Sequence, residues 1–320
     1  MNLNLFNINL KETAQYLIIV NPNAGKKKAK TDWPHIADLF HKANIDFEVI
    51  FTKYHREAIK IVENKINNEG FKNIIAIGGD GTINEVVNGI FLQNRFETNQ
   101  ISLGAITIGT GNDWAKMFKL PNDYSATIDI IKNGNTFVQD VGKVYYYIGE
   151  QQSSRYFINA AGLGFDAMVT KNTNDQKELG KSNTFSYFSN MIKSLYRYRP
   201  VEVKVFTKKR EVHSGHLFTM SLAIGQFTGG GMRQTPEAIS DDGLFDLMLV
   251  DKIAKTKLIR KVKKLFDGNI NKIKEVQMLR TDNLRVESDS KLMIEVDGEN
   301  IGHAPFEFEL IAKSLKIYVP

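Results

Sequence analysis

The residues of this chain best suited to chemistry fall in a few short turns. The most informative is Gly78-Gly79-Asp80-Gly81-Thr82-Ile83-Asn84-Glu85, which follows the apolar run Ile74 to Ile77 and opens a helical stripe. Glycines there let the main chain approach a polyphosphate, and the free amides of a helix start attract negative charge. Asp80 would repel phosphate unless a cation lies between, so its chemistry points to Mg2+, held directly or through water. A tight Gly-Asp-Gly turn with a capping box from Thr82 to Glu85 is the competing structural account. Gly109-Thr110-Gly111-Asn112-Asp113 repeats the theme after the run Ile101 to Ile108. There the Thr110 hydroxyl can donate to a phosphate oxygen, while Asn112 and Asp113 either orient the loop or cap the next helix. A third turn, Asn21-Pro22-Asn23-Ala24-Gly25-Lys26, follows Leu17 to Val20, and Lys27 after Lys26 excludes a Walker A loop. Far along the chain, Asp297-Gly298-Glu299 follows the alternating run Leu292 to Val296. A carboxylate there can take the proton of an attacking alcohol, which is a poor nucleophile at neutral pH. Spacing leaves open whether Asp297 and Glu299 share a side or are split at Gly298, and an ordinary acidic hairpin turn is the alternative.

These turns need elements to hold them. Leu17 to Val20, Phe47 to Phe51, Ile74 to Ile77 and Ile101 to Ile108 read as buried strands. Between them Ile36, Leu39, Phe40 and Ala43, then Ile59, Val62 and Ile66, then Ile83, Val86, Val87 and Ile90 recur at helical spacing. The alternation predicts an open parallel α/β sheet with ligands beyond the carboxyl ends of its strands. After about Val138 the period becomes two, as in Val201, Val203 and Val205 or Phe306, Phe308 and Leu310, which predicts an antiparallel β-sandwich. One helical insert, roughly Thr184 to Tyr198, interrupts it. Two apposed domains are expected: a nucleotide-binding α/β domain at 14–138, joined by part of the tail at about 308–320, and a β-sandwich domain at 139–307. A cleft between them is the natural place for chemistry.

Composition narrows the options. With no cysteine, the chain has no disulfide scaffold, no Cys-based zinc site and no cysteine nucleophile. A formal charge of +6 favours anionic partners such as phosphates or acidic lipid surfaces but falls short of an argument for nucleic acid. The apolar runs are too short to span a bilayer, which needs about 20 residues. A cytoplasmic protein with peripheral membrane contact is therefore expected. Seven basic residues between Lys252 and Lys264, interleaved with Leu258, Ile259, Val262, Leu265 and Phe266, suit an amphipathic helix on an anionic bilayer. The same stripe also suits a helix packed on the sandwich.

Together these turns resemble the diacylglycerol kinase-like lipid kinase family, which includes sphingosine and ceramide kinases and bacterial relatives. The resemblance runs from Asn21 to the last strand, through Asn159-Ala160-Ala161-Gly162-Leu163-Gly164-Phe165-Asp166, Gly229-Gly230-Gly231-Met232, Pro236-Glu237-Ala238, Asp242-Gly243-Leu244-Phe245-Asp246 and Asp297-Gly298-Glu299. A lone Gly-Gly-Asp-Gly would equally suit NAD kinases or phosphofructokinases.

The resemblance implies a phosphofructokinase/NAD kinase-like α/β domain with a C-terminal antiparallel β-sandwich, and ATP-dependent, Mg2+-assisted phosphorylation of a lipid hydroxyl. By the same resemblance the nucleotide is held by Asn21, Pro22, Asn23, Ala24, Gly25, Thr52, Gly78, Gly79, Asp80, Gly81, Thr82, Ile83, Asn84 and Thr110. Glu299 is then the proton acceptor, with Asp297 beside it and Asp80 as the third catalytic carboxylate. The segment around Asp242 resembles a structural Mg2+ site using that carboxylate with main-chain oxygens near Ile239 and Leu244. A kinase of a soluble substrate, and an idle lipid or nucleotide sensor, are the alternatives. The acceptor lipid is not selected by the sequence, and oligomeric state is open, with a homodimer as one option.

Overall fold

The computed structural model describes residues 15–109, 111–178, 194–208, 210–251, 253–261 and 263–320. Thr110, Lys252, Val262 and most of the expected insert at 184–198 lie outside the described residues.

Strands β1 (Tyr16–Val20), β2 (Phe47–Phe51), β3 (Asn73–Gly78) and β4 (Ser102–Thr107) pair in parallel in the order β4-β3-β1-β2. Helices α1 (Ala24–Lys42), α2 (Glu57–Glu69), α3 (Asp80–Leu92), α4 (Asp113–Met117) and α5 (Tyr124–Asn133) form the crossovers. The continuous apolar strands are covered on both faces, as expected when helices flank a parallel sheet. Alternate residues divide between two cores: Leu17, Ile19, Ile74 and Ala76 meet Val62, Ile83 and Val87, while Ile18, Val20, Ile75 and Ile77 meet Ile36, Phe40 and Ile131.

β5 (Thr136–Ile148) runs antiparallel to β14 (Glu299–Tyr318), and this pair forms the spine of the molecule. The far end of β14 lies parallel to β4, with Lys316 opposite Ser102 and Ile317 opposite Leu103, so the last strand completes the α/β sheet. The near end belongs to an antiparallel array with β6 (Gln151–Phe157), β7 (Ala160–Gly164), β8 (Val201–Phe206), β9 (Glu211–Ala223), β10 (Phe245–Asp251), β11 (Val276–Thr281), β12 (Asn283–Glu287) and β13 (Met293–Val296). Its core holds Val203, Val205, Phe306 and Phe308, and Phe157 stacks on Phe245 at 5.7 Å. α6 (Phe165–Glu178) covers the other face, where Phe165, Tyr198 and Phe218 pack together.

The basic stretch is helical over α7 (Lys255–Lys261) and α8 (Lys263–Phe266), on either side of Val262. Leu258 and Leu265 pack against the core under α6, and Lys257 pairs with Glu275. Part of the apolar stripe therefore serves the fold, and Phe266 remains 48% exposed. Among the described residues no helix is long and apolar enough to cross a membrane.

Candidate active site

The three glycine-rich turns converge because β1, β3 and β4 are neighbours in one parallel sheet and end on the same edge. Asn21 N donates to Ile77 O at 3.0 Å, and Ile108 N to Gly78 O at 2.7 Å. Contact is close enough that a Cβ on Gly25 would come 2.8 Å from Ile108 Cγ2, and one on Gly109 would come 3.2 Å from Gly79 Cα. Gly25, Lys26 and Lys27 all have positive φ (59°, 59° and 72°), a strained run for the two lysines. Asn21 Nδ2 donates to Thr82 Oγ1 at 3.1 Å, and Thr52 is pinned by its N–H to Val20 O at 2.9 Å. Asn21, Asn23, Thr52, Thr82, His55 and Glu85 line a pocket of about 200 Å³.

The capping box does not form. Gly79 occupies the N-cap of α3 and no side chain caps it. Glu85 turns instead to α2, accepting from Arg56 N at 2.9 Å and Ala58 N at 3.3 Å. The start of α3 is thus left without a side-chain acceptor, as an anion-binding helix start requires.

Asp80, in the first turn of α3, has its Oδ1 out of solvent and without a hydrogen-bond partner. Burial, with the charge of Asp113 adding to it, pushes its carboxyl up to about 6. An orphaned carboxylate oxygen beside bare glycine backbone fits a hard cation, which would return the group to its ionised form. Thr110 lies outside the described residues. The turn that contains it ends in Asp113, whose Oδ2 accepts from Gly230 N at 2.7 Å, so the triple-glycine segment is fastened to α4. Trp114 takes a core place, 2% exposed with Nε1 donating to Gln139 Oε1 at 2.9 Å.

The Asp-Gly-Glu segment is a two-residue hairpin turn, with Val296 opposite Glu299 and positive φ at Asp297 (46°) and Gly298 (85°). Asp-Gly is the pair that accepts positive φ at both positions most readily. The turn splits the two carboxylates. Asp297 points inward and accepts from Ile158 N (3.0 Å), Asn159 N (3.1 Å), Ala160 N (3.0 Å) and Asn84 Nδ2 (2.7 Å). Burial pushes its carboxyl up, and these four donors oppose the shift. Both of its oxygens are engaged, so Asp297 is an anchor, whereas Glu299 is 21% exposed and reaches the opposite module. A Cβ on Gly81 would lie 3.0 Å from Glu299 Oε1. Asp80, Asn84, Asp297 and Glu299 therefore share one crevice.

Sequence reasoning missed two members of it. Arg155 on β6 donates from Nε to Asn84 Oδ1 at 2.9 Å and from Nη2 to Glu299 Oε2 at 3.1 Å. His55 stands 3.4 Å from Glu85 and 3.8 Å from Glu299, and the ligand atoms of these three residues lie within 4.8 Å of one another. An arginine between two serines and a tyrosine on an edge-like strand gives no signal of burial; only strand register reveals it.

The Asp242 segment lies elsewhere in the second module. Asp242 Oδ1 accepts from Leu244 N at 3.1 Å, and its Oδ2 is paired with the Arg280 guanidinium. Arg280 Nε also stands 3.4 Å from the buried Asp246. Fully buried Asp140 accepts from Gly243 N at 2.8 Å and Lys313 N at 2.7 Å. Two carboxylates, Asp242 and Asp246, face one guanidinium and leave excess negative charge that suits a cation, although the chain itself already counters Asp242. Ile239 is 49% exposed there.

Three glycine-rich turns on one edge of an α/β module, closed by a β-sandwich that brings Glu299 against Gly81, make up the candidate site. Residues 15–144 match the diacylglycerol kinase catalytic domain, and residues 159–319 match the YegS C-terminal NAD kinase beta sandwich-like domain. The chain belongs to the diacylglycerol kinase catalytic domain family and is a lipid kinase. It is 29% identical over 303 residues to the diacylglycerol kinase of Staphylococcus saprophyticus, covering 95% of this chain and 94% of that one. The diacylglycerol kinase of Staphylococcus aureus is 28% identical, with 95% and 91% covered. A crystal structure of a Bacillus anthracis diacylglycerol kinase superposes with a TM-score of 0.71 at 20% identity, covering 97% of this chain and 98% of that chain, which confirms the fold.

Proposed function

We propose that this lipid kinase transfers the γ-phosphate of ATP, with Mg2+, to the hydroxyl of diacylglycerol or a related lipid. The observation that carries the reading is Glu299, from the second module, lying against Gly81 in the first turn of α3. A base for the hydroxyl and a cradle for the phosphates then face one another across one cleft.

Asn21 to Gly25, Thr52 and Gly78 to Asn84 bind the nucleotide, with Thr110 added by resemblance. The acceptor oxygen attacks the γ-phosphorus as the bond to the β–γ bridging oxygen breaks; ADP leaves with that electron pair, and the hydroxyl proton passes to Glu299. Asp297 holds the turn that carries Glu299. Asp80 would hold Mg2+, which would supply charge neutralisation to the transferring phosphate. Asp242, with the main chain at Ile239 and Leu244, is a second, structural cation site shared with Arg280.

In this reading residues 14–138 and the tail at 308–320 form the nucleotide domain, and 139–307 form the lipid-substrate domain. The pairing of Lys316 with Ser102 supports the tail's place in the first. The enzyme works in the cytoplasm and touches the membrane peripherally. Phe266 and Tyr196, 48% and 67% exposed beside α7 and α8, are its candidate contact.

The test is labelled ATP and Mg2+ with diacylglycerol, monoacylglycerol, phosphatidylglycerol, a sphingoid base and a polyprenol in mixed micelles, with NAD as the soluble control. Label should enter a lipid, and Glu299→Gln should abolish it by about 100-fold or more while remaining folded. Label in NAD alone sinks the lipid assignment, and no transfer to any acceptor favours an idle sensor.

A further inference from the structure

Arg155 is an unusual residue to find in a core. Its side chain is 2% exposed, and among the described residues its Nη1 has no hydrogen-bond partner. Taking a guanidinium out of water is costly, and an ion pair at this depth returns little net stability, so apolar side chains commonly serve such positions as well or better. Stability of the fold does not account for it.

Geometry does. Nε and Nη2 lie on one edge of the planar guanidinium, and each holds one oxygen: Asn84 Oδ1 at 2.9 Å and Glu299 Oε2 at 3.1 Å. Asn84 is fixed in turn, because its Nδ2 donates to Asp297 Oδ2 at 2.7 Å and Tyr156 O at 2.9 Å, and Asn88 Nδ2 donates to its Oδ1 at 3.0 Å. Glu299, by contrast, leaves a hairpin turn with 21% of its side chain exposed. Without an anchor such a carboxylate rotates into solvent. We propose that Arg155 is a positioning residue for phosphoryl transfer, fixing the Glu299 carboxylate against Gly81 and tying it through Asn84 to the helix that cradles phosphate. This role rests on the kinase reading given above. Lysine cannot reproduce it, because a single ammonium lacks the paired edge.

The experiment compares Arg155→Met, Arg155→Lys and Arg155→Ala with the full-length wild type, using ATP, Mg2+ and diacylglycerol micelles. Arg155→Met should lower kcat by about 100-fold, the scale of a lost general base, with the KM for ATP within about twofold and the melting temperature unchanged or raised. Arg155→Lys should recover only a small part, and guanidinium added to Arg155→Ala should restore turnover. Wild-type kcat in Arg155→Met overturns the proposal. So does a loss of turnover matched by a loss of melting temperature in all three variants with no guanidinium rescue. If the wild type itself transfers nothing, the kinase reading fails, and a crystal structure of Arg155→Met then decides the positioning. Glu299 leaving Gly81 upholds it, and Glu299 staying in place overturns it.

Discussion

Asn84 Nδ2 donates to Asp297 Oδ2 at 2.7 Å, joining α3 of the α/β module to the β13–β14 turn across 213 positions of sequence. The oxygen of the same amide accepts from Arg155 Nε, so one side chain references both carboxylates of the Asp-Gly-Glu turn to the helix start. Asn84→Ala should leave a buried carboxylate short of a donor and cost about 1–3 kcal/mol in urea unfolding, with phosphoryl transfer falling as well. Unaltered stability would mean that the three amides at Ile158, Asn159 and Ala160 hold Asp297 alone.

Gly81 separates stability from activity. It lies in the first turn of α3, where alanine is the better helix former by up to about 1 kcal/mol. The added Cβ would meet Glu299 Oε1 at 3.0 Å, and a flexible side-chain end can yield to it. Gly81→Ala should therefore keep or raise the melting temperature while lowering kcat by about 10- to 100-fold through displacement of Glu299. Equal kcat in the two proteins would show that Glu299 tolerates the shift.

A pair of half-buried acids beneath the Asp-Gly-Glu turn sets a pH dependence of stability. Glu295, which accepts from Gly298 N at 2.9 Å, is pushed up to about 8 by burial, and neighbouring Asp166 and Asp297 add to the shift. Asp166, bonded to Gln234, is pushed up to about 6 by burial. Both folded values are raised, so their stabilising effect is complete at low pH and is lost as pH rises. For Glu295 the loss runs from the unfolded value of 4.5 to about 8, and for Asp166 from 3.8 to about 6. Thermal melts should fall over that span, and Glu295→Gln should melt higher than wild type at pH 8–9 yet match it near pH 5. A constant difference at every pH would remove the titration of Glu295 as its cause.

Asp242 and Arg280 give a test that needs no turnover. If a cation shares Asp242 with the guanidinium, Arg280→Gln should melt lower in chelator and regain the loss in millimolar Mg2+, with a larger Mg2+ response than wild type. Asp242→Asn should melt lower than wild type and lose the Mg2+ response. Melting curves indifferent to Mg2+ in all three proteins would leave the ion pair as the whole of that site.

Much was legible in the chain itself. Period and punctuation placed the four parallel strands to within about a residue or two at either end, since buried β-branched runs between helical stripes admit few other folds. The turns at Asn21, Gly78 and Gly109 marked one sheet edge, because glycine is needed where two main chains approach one another closely. Less was legible where function depends on register. Thr82 and Glu85 spell a capping box, yet they serve Asn21 and α2.

Residue type and local order determined the two modules, the glycine-rich sheet edge and the acidic pair at Asp297 and Glu299. Tertiary structure alone decided which acid anchors and which stays partly exposed, and that Arg155 is interior. Those outcomes depend on strand register and on contacts across the cleft between residues far apart in sequence, and a local pattern carries no information about which distant partner fills the space beside it.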